Sequence, residues 1–158
     1  MITWITRILI LIVALSIAAH AQSVAIDHYS TSTLMERAAQ LHKQADISTG
    51  AASEILGKYP NHFTMLAFRD KSGGAELHKK FADIFFVIDG HATLWTGGSI
   101  VDAKTNADGN EVTGTAVRGG SNQKLRPGDV VHIPAGLPHQ LILSAGDTFT
   151  YFVIKVQQ

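Results

Sequence analysis

The stretch GGAELHKKFADIFFVIDG, Gly73 to Gly90, places a Glu, a His and an Asp close together and then runs on into an apolar segment. Side chains alternate along a strand, so Glu76 and His78, two positions apart, share one face. Asp83 comes after a turn and opens the next strand, whose far end is Gly90. Far downstream, His139 follows PAGLP, a turn whose two prolines stiffen the backbone. If the sheet closes on itself, Glu76, His78, Asp83 and His139 converge inside it.

Outward from this stretch, everything after Ser53 reads as strand and turn. SEILGKY, a turn at Pro60 and Asn61, HFTMLAFRD, a KSGG turn and HATLWTGG succeed one another at short intervals, as in an antiparallel sandwich or barrel. The segment SIVDAKTNADGNEVTGTAVRGGSN is the polar exception, and its NADGN core reads as a turn or loop able to overhang a binding site. QKLRPGDVVHIPAGLPHQLILSAGDTFTYFVIKV then closes the chain with three more strand candidates parted by PG, PAG and AGD turns. Upstream, Gln22 to Ser32 is polar. TLMERAAQLHKQA offers Thr33 as N-cap, with Glu36 completing a capping box and Leu34, Ala38 and Leu41 at helical spacing.

The first residues carry Arg7, an apolar run from Ile8 to Ala19, and an A-x-A exit at Ala19 and Ala21, the pattern of a secretory signal peptide over 1–21. The run falls short of the roughly 18–20 residues that a membrane span needs. The expected organisation is therefore a leader (1–21), an extension with a short helix (22–52) and one β domain (53–158), in a periplasmic or secreted protein. There is no Cys, so stability must come from a packed core, which a bound metal could reinforce in place of disulfides. With 13 Lys+Arg against 13 Asp+Glu the surface has no electrostatic reason to bind nucleic acid or acidic lipid, and a small molecule is the natural partner.

The quoted stretch, together with GDVVHIPAGLPH, resembles the two motifs of the cupin superfamily: HxH, three or four residues, E, six residues, G; and G, five residues, PxG, two residues, H. Gly128, Pro134, Gly136 and His139 fit the second without exception. In the first, setting Glu76 and His78 against HxH keeps both spacings, to Asp83 and to Gly90; setting His78 and Lys80 there breaks one. The resemblance covers Ser53 to Val156 and implies an all-β fold, a double-stranded β-helix or jelly-roll small barrel. It further implies a divalent metal held by Glu76, His78, Asp83 and His139, with Glu for the first His and Asp for the Glu. Dimers joined edge to edge are common in that family.

Two imidazoles and two carboxylates suit Mn, Fe or Zn. On this basis the chain is expected to be a metal-dependent oxygenase, isomerase or lyase acting on a small organic molecule, with Glu76 as metal ligand or, off the metal, as catalytic base. The alternative is a non-catalytic module that binds a sugar or an aromatic metabolite. A third reading is a centre without metal in which Lys80 pairs with Glu76 or Asp83, although Lys80 is expected at the surface. His28 and His42 are expected in solvent, while His62, His91 and His132 are ambiguous in face. Phe63, Phe68, Phe85, Phe86, Phe149, Tyr151 and Phe152 are expected to fill the core, Gln140 to point outward, and Trp95 to stand near the mouth.

Overall fold

A computed structural model describes residues 26–158. The expected leader lies outside the described residues, among which no helix is long and apolar enough to cross a membrane. The first element is the helix α1 (Thr31–Asp46). Its cap is Ser30, not Thr33: Ser30 has extended backbone and its Oγ accepts from the Thr33 N–H at 3.1 Å. The STST run offers several capping hydroxyls, and the first is used, so that Thr33 falls within the first turn and its hydroxyl meets Ser30 Oγ instead. Leu34, Ala38, Leu41 and Ala45 then form the buried stripe.

Thirteen strands follow: β1 (Ala51–Lys58), β2 (His62–Arg69), β3 (Ala75–His78), β4 (Phe81–Gly90), β5 (Ala92–Thr96), β6 (Ser99–Val101), β7 (Lys104–Thr105), β8 (Glu111–Gly114), β9 (Ala116–Arg118), β10 (Ser121–Leu125), β11 (Val130–Ile133), β12 (His139–Ile142) and β13 (Phe149–Gln157). They form a five-stranded sheet ordered β1-β2-β13-β4-β11, a six-stranded sheet ordered β10-β5-β12-β3-β8-β7, and the β6-β9 ribbon. Every pairing is antiparallel, as a jelly roll requires. The polar segment after Gly98 is more regular than its composition suggests. It holds four short strands, and its NADGN core is the β7–β8 turn, closed by the Asn106 and Gly109 amides.

Period-two alternation sorts the side chains into two cores. One lies between the sheets and gathers Ala67, Phe85, Val87, Leu94, Ile133, Leu141, Phe149, Tyr151 and Val153. The other lies outside the five-stranded sheet, where Leu66 and Phe68, the alternate residues of β2, meet the apolar stripe of α1. Two aromatics depart from the expected core. Phe86 sits on the outer face of β4 and is 38% exposed, and Phe63, at the start of β2, is only partly covered. For Phe86 the reason is strand parity: Phe85 takes the inner face, so its neighbour must turn away.

Two glycines of the motifs close the structure. Gly136 has φ +78° and its N–H donates to the His78 carbonyl at 2.8 Å, which ties the turn before His139 to the strand carrying His78. Gly90 also has φ +78°, and a Cβ there would lie 1.9 Å from the Thr148 carbonyl oxygen. Gly90→Ala must therefore break the β4–β13 corner. We expect a loss of roughly 2 kcal/mol or more in urea unfolding; an unchanged midpoint would contradict this account of the corner.

Candidate metal centre

Register brings the candidate ligands together. On the inner faces, His139 of β12 pairs with Glu76 of β3, and His78 pairs with Glu111 of β8. Glu76, His78 and His139 each offer a ligand atom, all within 4.8 Å of one another. Asp83, 2% exposed, presents Oδ2 at 3.6 Å from His78 Nε2 and 3.7 Å from His139 Nε2. All four residues singled out in the sequence thus meet at one place. Lys80 is exposed, at the turn between β3 and β4.

The hydrogen bonds around the imidazoles fix their tautomers. His139 Nδ1 lies 3.0 Å from the Leu137 carbonyl, which can only accept, so Nδ1 carries the hydrogen and Nε2 keeps its lone pair toward the centre. His78 Nδ1 donates likewise to Glu111 Oε1 at 3.1 Å. This outer carboxylate or carbonyl behind the ring is the arrangement that orients metal-binding histidines. Burial lowers the His139 pKa, against the pull of the Leu137 carbonyl and the Asp83 and Glu76 charges, which keeps the ring neutral. Burial pushes Glu76 up, but the His78 ring 3.5 Å from its Oε2 and the Arg69 guanidinium outweigh it and hold the carboxyl at about 2. Asp83 Oδ1 is buried with no hydrogen-bond partner among the described residues. For His78 burial pulls the pKa down, but the Glu76 and Asp83 carboxylates around the ring win and raise it. Two imidazoles with Nδ1 tied back and two carboxylates, one with an orphaned oxygen, fit a divalent cation.

Three participants were not singled out in the sequence. Lys155, opposite Asp83 in the β13–β4 register, places Nζ 2.8 Å from Asp83 Oδ2 and 2.7 Å from His78 Nε2. The expected lysine partner of the centre is therefore Lys155, not Lys80. Its signal lies in FTYFVIKV: Phe149, Tyr151 and Val153 face inward, and position 155 shares their parity. Arg69, two places beyond the inward-facing Ala67, directs Nε to Tyr151 Oη at 3.3 Å and holds Nη2 3.7 Å from Glu76 Oε1. Glu111 comes from the polar segment, immediately after its NADGN turn, at the start of β8.

A cavity of about 260 Å³ opens beside these groups, with Arg69, Glu76, Asp83, His139, Tyr151 and Lys155 on its polar side. Met65, Ala67, Phe85, Leu141 and Val153 form much of its apolar side, and Gln140 also borders it. None of His62, His91 and His132 lines it, and His28 and His42 are exposed. Gln140, expected to point outward, is on the opposite face from His139 yet is buried: it donates to the Gly73 carbonyl at 2.9 Å and accepts from the Val117 N–H at 3.0 Å, pinning the β6-β9 ribbon to the sheet. Trp95 pairs across from Gln140 and does not line the cavity.

No protein-family model matches the sequence, and no curated protein matches it. Solved structures do match the fold. They include TT1209 from Thermus thermophilus (TM-score 0.53, 13% identity, 78% of this chain and 93% of that one). The DMSP lyase DddQ from Ruegeria pomeroyi has TM-score 0.51 and 18% identity over 71% of this chain and 49% of its own, so this chain spans about half the lyase. KdgF from Halomonas sp. has TM-score 0.50 and 16% identity, with 72% and 84% covered. At such identities the likeness is one of fold, and that fold is the cupin fold.

The geometry gives Glu111 a role that can be tested apart from any reaction. Glu111→Gln keeps the shape but weakens the acceptor behind His78. Calorimetric titration with Zn²⁺ should show affinity reduced by about 10- to 100-fold, whereas an unchanged affinity would separate Glu111 from the centre.

Proposed function

We propose that this cupin-fold chain is a metal-dependent protein that acts on a small organic anion, and that it works after export, as its leader-like start suggests. The observation that carries the reading is the convergence of two imidazole Nε2 atoms and two carboxylates beside one cavity, whose wall Glu76, Asp83 and His139 line. Glu76, His78, Asp83 and His139 would hold a Mn, Fe or Zn ion. A bound divalent ion supplies Lewis acidity to a substrate oxygen.

The chain's own residues point to the substrate's chemistry. Arg69 offers a fork of donors at the cavity wall, of which, among the described residues, only Nε has a hydrogen-bond partner, the Tyr151 hydroxyl, so a carboxylate can take the rest. Once a divalent ion offsets Glu76 and Asp83, the Arg69 and Lys155 charges are left over, and an anion is the ligand that balances them. Met65, Phe85, Leu141 and Val153 exclude water and accept the hydrocarbon part. Glu76, ionised down to about pH 2, is suited to holding charge and poorly matched to taking up a proton at neutral pH. A homodimer joined through sheet edges goes with this reading, since Ile55 on edge strand β1 and Val130 on edge strand β11 are apolar and half or more exposed.

The binding-module alternative shares the site and differs in turnover. Thermal-shift measurements on metal-reconstituted protein should show stabilisation by small carboxylic acids but not by the matching alcohols, with product formed in the same mixtures. Arg69→Met should weaken carboxylate binding by about tenfold or more, the value of a charged hydrogen bond. Stabilisation without product would favour the module; equal stabilisation by alcohols would overturn the anionic substrate.

A further inference from the structure

Building on the metal-centre reading, we propose that the Lys155 ammonium and a divalent ion are alternative occupants of one cation position, and that Lys155 thereby sets how tightly the protein holds its metal. The ammonium hydrogen-bonds two of the atoms that a metal would use, Asp83 Oδ2 at 2.8 Å and His78 Nε2 at 2.7 Å. The second contact is the decisive one. A carboxylate oxygen has lone pairs to share, but the only lone pair of a neutral imidazole is on Nε2 once Nδ1 carries the hydrogen given to Glu111. His78 therefore binds either the ammonium or a metal.

The backbone cannot resolve this competition by moving away. β13 lies in the middle of the five-stranded sheet, paired on one side with β2 and on the other with β4, and Lys155 is directly opposite Asp83. Its side chain is 14% exposed and lines the cavity. The way out is a rotamer change of the four-carbon stem into that space. In the metal-free protein the ammonium is the counter-ion of Asp83, a carboxylate that burial would otherwise leave uncompensated. Metal entry replaces it with a stronger cation and releases a positive group toward the substrate region. The centre thus stays folded and charge-balanced without metal, at the expense of metal affinity.

Two measurements test this. In the first, metal-free wild type and Lys155→Met are titrated calorimetrically with Zn²⁺; Met keeps an apolar stem of similar reach and removes the competing charge. The variant should bind about tenfold or more tightly, and its metal-free form should melt lower and recover on adding Zn²⁺. Lys155→Arg, which retains the charge, should not gain affinity. In the second, wild type alone is treated with a lysine-methylating reagent with and without Zn²⁺ and read by mass spectrometry, so the result does not depend on a variant folding. Lys155 should react faster when the metal is bound. Equal affinity in wild type and Lys155→Met, or Lys155 labelling that metal does not change, overturns the role of Lys155 and leaves the metal centre standing. Failure of both wild type and Lys155→Met to bind Zn²⁺ overturns the centre itself, and this inference with it.

Discussion

A carboxylate sealed between two sheets must have a cation, and Asp83 is the residue on which that constraint falls. Taken from water without compensation, an ionised group costs several kcal/mol, more than most domains can spare from their total stability. The rest of the interior is arranged around this demand. β4 brings Asp83 to the inner face, β3 and β12 bring two imidazoles to 3.6 and 3.7 Å from it, and β13 supplies an ammonium directly across the register. The apolar run that follows Asp83 serves the same end, because Phe85 and Val87 continue the inner wall and keep water from the charged layer.

The two ends of the cavity have different chemistry. At the centre, ligand atoms of both signs crowd together with their tautomers fixed from behind by Glu111 and Leu137. Beyond it, Arg69 and Tyr151 form a polar shelf against an otherwise apolar wall. A fold-level likeness to lyases and other cupin-fold proteins says nothing about which reaction runs here, since function resides in the site and not in the barrel. What this site adds is a pair of cations, the Arg69 guanidinium and the Lys155 ammonium, on the wall of the same cavity.

Much of the site was legible in the sequence because strand geometry is so restrictive. A spacing of two puts Glu76 and His78 on one face, and the glycines at 90 and 136 mark the corners that only a positive φ can make. The helix was legible in its apolar stripe and less so in its start, since several neighbouring hydroxyls can cap and local sequence does not rank them. Phe86 and Trp95 were harder to place, because being aromatic does not decide which face of a strand a residue takes.

By itself the sequence determined the fold class and the two motif turns, which follow from local spacing and backbone stereochemistry, while its resemblance to the two cupin motifs singled out the four acidic and imidazole side chains. Tertiary structure alone decided which distant residues complete the centre. Lys155 becomes the partner of Asp83 only through the β13–β4 register, Glu111 reaches His78 only because β8 pairs with β3, and Arg69 meets Tyr151 only because β2 pairs with β13 and Glu76 only across the two sheets. Nearly all of these contacts join residues far apart in the chain. Which strand lies beside which is fixed by the packing of both sheets at once, and that information is not present in any one segment.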